Sequence, residues 1–356
     1  MNDRKIRILI VDDSTFMRRM IQNLLEEDSD LEVVGTAKDG LDALKKARDL
    51  SPDVITLDVE MPVMDGLASL ENLQKQDNYA VIMISSHTKV GKTATIKALE
   101  LGAFDFVSKP ENIFDMPSEG IRLELVEKIR QAYKHNKRDL KFESISQTIM
   151  PQYPVIRSVK AAELKYIIAI GISTGGPRAL ASILPLFPVD LPAAIVIVQH
   201  MPAGFTKSLA KRLDETSQLT VKEAEENDEL KAGCVYVAPG SFHLNFKKDG
   251  KKTRIILSDQ PPQGGFRPSV DVMMSALAIS EMTGIIGVIM TGMGSDGSKG
   301  LKELKEKKNA YIIAQDESTS IVFGMPKAAI EFGIVNDIVP LLDIPNRIMN
   351  YMGVRQ

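Results

Sequence analysis

The chain has 356 residues, 44% of them hydrophobic and 26% charged, with a net charge of −3 at pH 7. That length suggests about two domains, each able to bury a core, and the slight acidity excludes nucleic-acid binding as the main function. A single cysteine, Cys234, permits no internal disulfide, and neither a signal-peptide core nor a membrane-length apolar run is present, so a cytoplasmic protein with no membrane insertion is expected.

Residues 1–133 alternate short apolar runs with amphipathic segments. Strands are expected at Ile6–Val11, Glu32–Thr36, Val54–Leu57, Ala80–Ile84 and Phe104–Val107, with helices near 15–27, 40–49, 66–76, 92–101 and 119–134. Such alternation predicts an α/β domain with a doubly wound parallel sheet, whose functional groups gather at the C-terminal strand ends. Asp12 and Asp13 follow the first strand, Asp58 the third, Ser85 the fourth and Lys109 the fifth. Carboxylates brought to one edge repel unless a cation or proton intervenes. Hard oxygen donors with few protein ligands favour Mg²⁺, Lys109 offers charge to an anion, Ser85 offers a hydroxyl, and a phosphorylated Asp58 satisfies them all.

Val11-Asp12-Asp13-Ser14, Leu57-Asp58-Val59-Glu60-Met61-Pro62-Val63-Met64-Asp65-Gly66, Ser85-Ser86 and Ser108-Lys109-Pro110 resemble a response-regulator receiver domain. The resemblance implies a flavodoxin-like sheet of order 2-1-3-4-5 and phosphoryl transfer to Asp58 from a histidine kinase. It also implies Mg²⁺ held by Asp13, Asp58 and the Glu60 carbonyl with Asp12 in support, a switch hydroxyl at Ser85 and a switch aromatic at Phe106. Phe106 lacks the hydroxyl of the commoner tyrosine, so a switch there works by packing.

Residues 134–163 change character: Lys134, Lys137, Arg138 and Lys141 cluster, then Ser144, Ser146, Pro151 and Pro154 follow without a steady period. That composition reads as a linker, a continued helix and then extended chain.

The third segment, 164–356, opens on Ile167-Ile168-Ala169-Ile170-Gly171-Ile172, a strand buried on both faces, which breaks at Ser173-Thr174-Gly175-Gly176-Pro177 into a helix expected over Arg178–Phe187. The turn has no Gly-Lys-Ser/Thr phosphate loop and no Gly-x-Gly-x-x-Gly fingerprint, whereas Gly171-x-Ser173-x-Gly175 matches a nucleophile elbow. A serine hydroxyl needs an imidazole to take its proton and a carboxylate to orient that imidazole. Of the four histidines, His200, at the end of strand Ala193–Val198, and His243, after Pro239-Gly240-Ser241, lie in this segment; the strand-end position favours His200. Two aspartates follow strands: Asp296, among Gly292, Gly294, Gly297 and Gly300 after Ile285–Met290, and Asp316, after Ala310–Ala314. Asp296 reads equally as orienting acid or as N-cap of a helix over Leu301–Lys307, and Asp316 looks more like a plain cap. A hairpin is expected around Asp249-Gly250. The order Ser, His, Asp differs from the Ser, Asp, His of α/β-hydrolases, so the elbow does not assign that fold.

Ser173-Thr174-Gly175-Gly176-Pro177, Gln199-His200-Met201-Pro202, Phe266-Arg267-Pro268-Ser269-Val270-Asp271 and Met290-Thr291-Gly292-Met293-Gly294-Ser295-Asp296-Gly297 resemble the chemotaxis protein-glutamate methylesterases, the CheB family. The resemblance implies hydrolysis of glutamate γ-methyl esters on chemoreceptor cytoplasmic domains with release of methanol, and deamidation of selected receptor glutamines, under control of the receiver. It makes Ser173 the nucleophile, His200 the base and Asp296 its orienter, with the Met293 N–H as oxyanion donor, Thr174 lining the turn and no cofactor for the esterase.

Overall fold

The computed structural model describes residues 4–77, 79–110, 118–138, 163–250 and 252–354. The chain divides into two compact units, Met1–Met150 and Pro151–Gln356.

In the first unit, strands β1 (Ile6–Val11), β2 (Leu31–Ala37), β3 (Val54–Asp58), β4 (Ala80–Ser85) and β5 (Asp105–Ser108) alternate with helices α1 (Thr15–Glu26), α2 (Gly40–Leu50), α3 (Gly66–Gln76), α4 (Lys89–Glu100) and α5 (Glu119–Arg138). The sheet is parallel with order β2-β1-β3-β4-β5, as expected. β3 and β4 are buried at every residue, which is why they read as unbroken apolar runs. Four helices start on a side-chain cap: Ser14, Asp39, Asp65 and Thr88 accept from Met17, Asp42, Ala68 and Gly91 N–H, satisfying donors that the first turn leaves unpaired. The Thr88 cap starts α4 at Lys89, earlier than the expected 92, because Gly91 fits inside the first turn. α5 runs on to Arg138, and residues 139–162, the bulk of the expected linker, lie outside the described residues.

The second unit holds β6 (Tyr166–Ile172), α6 (Gly176–Ile183), β7 (Ala193–Gln199), α7 (Phe205–Thr216), β8 (Thr220–Glu223) and β9 (Cys234–Val237). The hairpin β10 (His243–Asp249) and β11 (Lys252–Ser258) follows, closing Asp249 against Lys252. Then come α8 (Val270–Ile279), β12 (Ile285–Ile289), α9 (Ser298–Lys308), β13 (Tyr311–Gln315), α10 (Met325–Glu331), β14 (Asp337–Val339) and α11 (Ile344–Met352). Seven strands form one parallel sheet, β14-β13-β12-β6-β7-β9-β8. The chain winds outward from β6 in one direction through β7 and in the other through β12, so the order reverses beside β6, where open α/β sheets leave a crevice. α6 is shorter than the expected Arg178–Phe187: Pro185 lacks the N–H that would continue the helix, and the chain passes into a tighter turn over Leu184–Leu186. α6, α7, α9 and α10 begin at Gly175, Gly204, Gly297 and Gly324 with no side-chain cap, unlike α1 to α4.

At the start of α3, Gly66 donates its N–H to the Val59 carbonyl at 3.0 Å. A Cβ there would sit 2.2 Å from the Asp58 carbonyl oxygen and 2.8 Å from Val59 Cα, so only glycine lets α3 approach the end of β3. Gly66→Ala is expected to destabilise the first unit by ~1–3 kcal/mol, since backbone rather than a pliable side chain must move. A urea melt of the variant with an unshifted midpoint would refute this.

Candidate functional site

The register of the second sheet brings one expected pair together. Ile172 lies opposite Gln199 across β6 and β7, so the next residues, Ser173 and His200, leave the sheet side by side, and His200 N–H donates to the Ile172 carbonyl at 3.2 Å. Gln199, 2% exposed, donates from Nε2 to the Ser173 carbonyl at 2.9 Å and to the His200 carbonyl at 3.3 Å, tying the two turns to one another. The loop after β12 closes on the same point: Ser173 N–H donates to Thr291 O at 2.9 Å, and Thr291 Oγ1 donates to the Thr174 carbonyl at 2.9 Å. A Cβ at Gly292 would lie 2.8 Å from Ser173 Cβ, so this close approach needs glycine. Among the described residues nothing accepts from the Met293 N–H, which is adjacent to that contact.

His200 Nε2 lies 2.8 Å from Asp296 Oδ2, and the ring is stacked on Phe266 with centroids 4.0 Å apart and 5° between planes. Its Nδ1 is buried and has no hydrogen-bond partner. Asp296 accepts further from Val270 N–H at 2.7 Å on Oδ2, and from Ser269 Oγ at 2.9 Å and Asp271 N–H at 3.0 Å on Oδ1. The carboxylate therefore sits on the N-terminus of α8, where backbone donors and the helix dipole favour negative charge. Burial alone would raise the Asp296 carboxyl, but the imidazole and the N–H groups of Asp271 and Val270 outweigh it and hold the group below its ordinary range. Ionised, it fixes Nε2 as the protonated nitrogen and leaves Nδ1 as the lone-pair nitrogen.

In the first unit, oxygens of Asp12, Asp13 and Asp58 lie within 4.8 Å of one another. Lys109 Nζ is 2.9 Å from Asp12 Oδ2 and 2.8 Å from Asp58 Oδ2. One lysine against three carboxylates leaves negative charge over, and an all-oxygen donor set suits a hard divalent cation. Burial raises the Asp58 carboxyl to about 6, helped by the Asp12 charge and opposed by Lys109. Burial tends to lower Lys109, but Asp58 and Asp12 overcome it and raise the ammonium. Ser85 is fully buried, accepts from Thr95 Oγ1 at 2.5 Å and donates towards Ser86 O at 3.3 Å. Phe106 is also buried, with Lys128 Nζ 2.5 Å from its carbonyl and 5.3 Å from its ring centroid. Glu60 N–H reaches Asp58 Oδ1 at 3.4 Å, and its carboxylate accepts from Ser86 and Thr88.

Comparison with known proteins separates the same two parts. The receiver domain of response regulators matches residues 8–119, and the CheB methylesterase family matches residues 168–348. The chain belongs to the CheB methylesterase family. It is 45% identical over 349 residues to the protein-glutamate methylesterase/protein-glutamine glutaminase of Thermotoga maritima, across 98% of this chain and 99% of that one. The protein of that name from Bacillus subtilis is 44% identical over 347 residues, across 95% of this chain and 96% of the relative. The crystal structure of the Thermotoga maritima CheB methylesterase catalytic domain matches at a TM-score of 0.51 and 46% identity, covering 54% of this chain and all (100%) of that one.

The other two candidates, His243 and Asp316, have partners of their own. His243 is buried with both ring nitrogens engaged, Nε2 3.2 Å from the Pro261 carbonyl and Nδ1 accepting from Ser269 N–H at 3.3 Å. Asp316 caps its own turn, accepting from Thr319 N–H at 3.0 Å and from the Thr319 and Ser318 hydroxyls, both at 2.5 Å. Asp296 does not cap α9; Gly297 occupies the N-cap position and the Asp296 carboxylate is committed to α8. Sequence reasoning missed the roles of Gln199, Gln315, Phe266, Ser269 and Asp271. The two glutamines carried a signal: each ends an otherwise apolar buried strand, where an amide has to find partners. Gln315 Oε1 accepts from Thr291 N–H at 2.9 Å.

The Asp58 carboxyl binds a proton more tightly in the folded receiver than in the unfolded chain, because 6 lies above the ordinary 3.8. Its favourable contribution is complete below the unfolded value and is lost as pH rises through about 6. With divalent cations removed by a chelator, the first unit is expected to lose stability between pH 4 and pH 7 on account of Asp58, and Asp58→Asn to flatten that slope. Denaturant melts across ~pH 4–7 test it, and identical slopes in both proteins would contradict it.

Proposed function

We propose that the second unit is a serine hydrolase that removes methyl groups from glutamate γ-methyl esters of chemoreceptors and deamidates selected receptor glutamines, in the cytoplasm. The observation that carries this reading is the His200–Asp296 pair at 2.8 Å, set beside Ser173 by strand register with Nδ1 of the imidazole left without a partner. The serine oxygen attacks the ester carbonyl as His200 Nδ1 takes its proton, and Asp296 stabilises the imidazolium through Nε2. The tetrahedral oxyanion is taken by backbone donors, with Met293 N–H the assigned one and Thr174 lining the turn. His200 returns the proton to the departing methoxide as the tetrahedral adduct collapses, releasing methanol. Water activated by the same nitrogen then hydrolyses the acyl-serine to glutamate. An amide substrate follows the same course with ammonia as leaving group. None of these steps calls for a cofactor.

The receiver, placed at 1–133, is the regulatory unit, joined by a linker at 134–163 to the hydrolase at 164–356. Asp58 accepts a phosphoryl group from a histidine kinase of the chemotaxis system; Mg²⁺ would be held by Asp13, Asp58 and the Glu60 carbonyl with Asp12 in support, and would offset phosphoryl charge. Lys109 pairs with the new anion, Ser85 supplies a hydroxyl and Phe106 answers by repacking. Phosphorylation acts on the hydrolase only by favouring its active arrangement over the resting one.

Ser173→Ala and His200→Ala are each expected to lower kcat for methanol release from methylated receptor by roughly 10³-fold or more with folding intact. Retention of a tenth of wild-type activity in either would count against the assignment. Asp296→Ala should cost far more than Asp316→Ala in the same assay. For the receiver, stimulation of methanol release by a small phosphodonor with Mg²⁺ should vanish in Asp58→Asn; undiminished stimulation would remove the regulatory reading.

A further inference from the structure

α8 and α9 hold each other through two carboxylates exchanged between their N-termini. Asp296, in the loop before α9, takes the Val270 and Asp271 N–H groups at the start of α8. Asp271, in the first turn of α8, reaches the other way: its Oδ1 accepts from Gly297 N–H at 2.9 Å and Gly300 N–H at 2.7 Å at the start of α9. The exchange needs the two helices close together, and a Cβ on Gly300 would lie 2.5 Å from the Asp271 carbonyl oxygen. Gly297, which immediately follows Asp296, is thus held by Asp271, while Asp271 N–H holds Asp296.

We infer that Asp271 is a positioning residue for the His200–Asp296 pair, acting as a single hydrogen-bond acceptor that pins the Asp296–Gly297 backbone so that the Asp296 carboxylate faces the imidazole. Asp271 bonds Asp296, Gly297 and Gly300, and it works through Asp296. The inference rests on the reading of Ser173, His200 and Asp296 given above, which makes the orientation of Asp296 matter to the serine. Because one oxygen takes both N–H groups, the role needs an acceptor in the right place and not a charge. Asparagine therefore preserves it, alanine removes it, and glutamate keeps the charge while moving the oxygen outward by a methylene.

Two measurements on the full-length protein separate this inference from the reading on which it depends. The first is the second-order rate at which a fluorophosphonate labels Ser173. Asp271→Asn is expected to stay within about threefold of wild type, whereas Asp271→Ala and Asp271→Glu slow by about tenfold or more, since small misplacement of a catalytic group can cost up to ~10²-fold. The second is the downfield proton resonance of the His200 Nε2–H···Asp296 bond, which does not depend on Ser173 being a nucleophile. It should persist in Asp271→Asn and disappear in Asp271→Glu and Asp271→Ala. Thermal melts report the folding of each variant, and the Asn–Glu pair alone decides the matter should the alanine variant not fold. Wild-type labelling by the glutamate variant with its downfield proton intact would overturn the inference, as would an asparagine variant as impaired as glutamate. Failure of wild type to label Ser173 would instead overturn the hydrolase reading, while the proton resonance still tests Asp271.

Discussion

An ionised carboxylate taken out of water must be given donors on every side, and in the second unit that requirement fixes the arrangement around Asp296. Its two oxygens accept from an imidazole, a hydroxyl and two backbone N–H groups. The donors come from three places: His200 from the end of β7, Ser269 from the N-cap of α8, and the two amides from the first turn of that helix. Removing any one leaves a buried charge short of a partner, which costs more than the bond itself contributed. Asp296 thus fixes the His200 ring, and the fold around α8 fixes Asp296.

The two units answer the same geometrical problem in opposite ways. A parallel sheet delivers every strand's C-terminal end to one edge, so polar residues placed just after the strands accumulate there. In the first unit the accumulated groups are like-charged. Asp12, Asp13 and Asp58 crowd together, Lys109 compensates in part, and the Asp58 proton is held more tightly than an ordinary carboxyl proton. Such an all-oxygen, net negative edge suits a hard divalent cation. In the second unit the Asp296 carboxyl is held below its ordinary range by His200 and the first turn of α8, and among the described residues nothing accepts from the Met293 N–H beside Ser173. Such an edge suits transient negative charge on a substrate oxygen.

Most of the fold was legible from apolar periodicity, because strands buried on both faces have almost no polar residues to blur them. The departures came where a single residue changed local chemistry: Pro185 ended α6 early and Thr88 started α4 early. The candidate site was legible as far as strand ends could carry it. Ser173, His200 and Asp296 each follow an apolar run, and two such runs adjacent in a sheet must present their next residues together. What pattern alone could not supply was the choice between Asp296 and Asp316, since an aspartate that caps a helix and one that serves a histidine look alike in sequence. In the fold the Asp296 carboxylate bonds His200 and the first turn of α8, whereas Asp316 caps its own turn. Asp271 was illegible for the same reason: in sequence it is an acidic residue in a first helical turn, and its partners lie at the head of a different helix.

The stacking of Phe266 on His200 has a consequence for the orientation of the imidazole. With the rings parallel to within 5° and 4.0 Å apart, a half-turn of the imidazole about its Cβ–Cγ bond would have to pry the phenyl ring away. That half-turn would put Cε1 where Nε2 now faces Asp296 and Cδ2 where Nδ1 now lies, so the stacked phenyl ring holds the imidazole in the orientation that pairs Nε2 with the carboxylate. An uncharged hydrocarbon ring, which neither donates nor accepts a proton, thereby helps to keep a nitrogen and not a carbon of His200 facing Asp296.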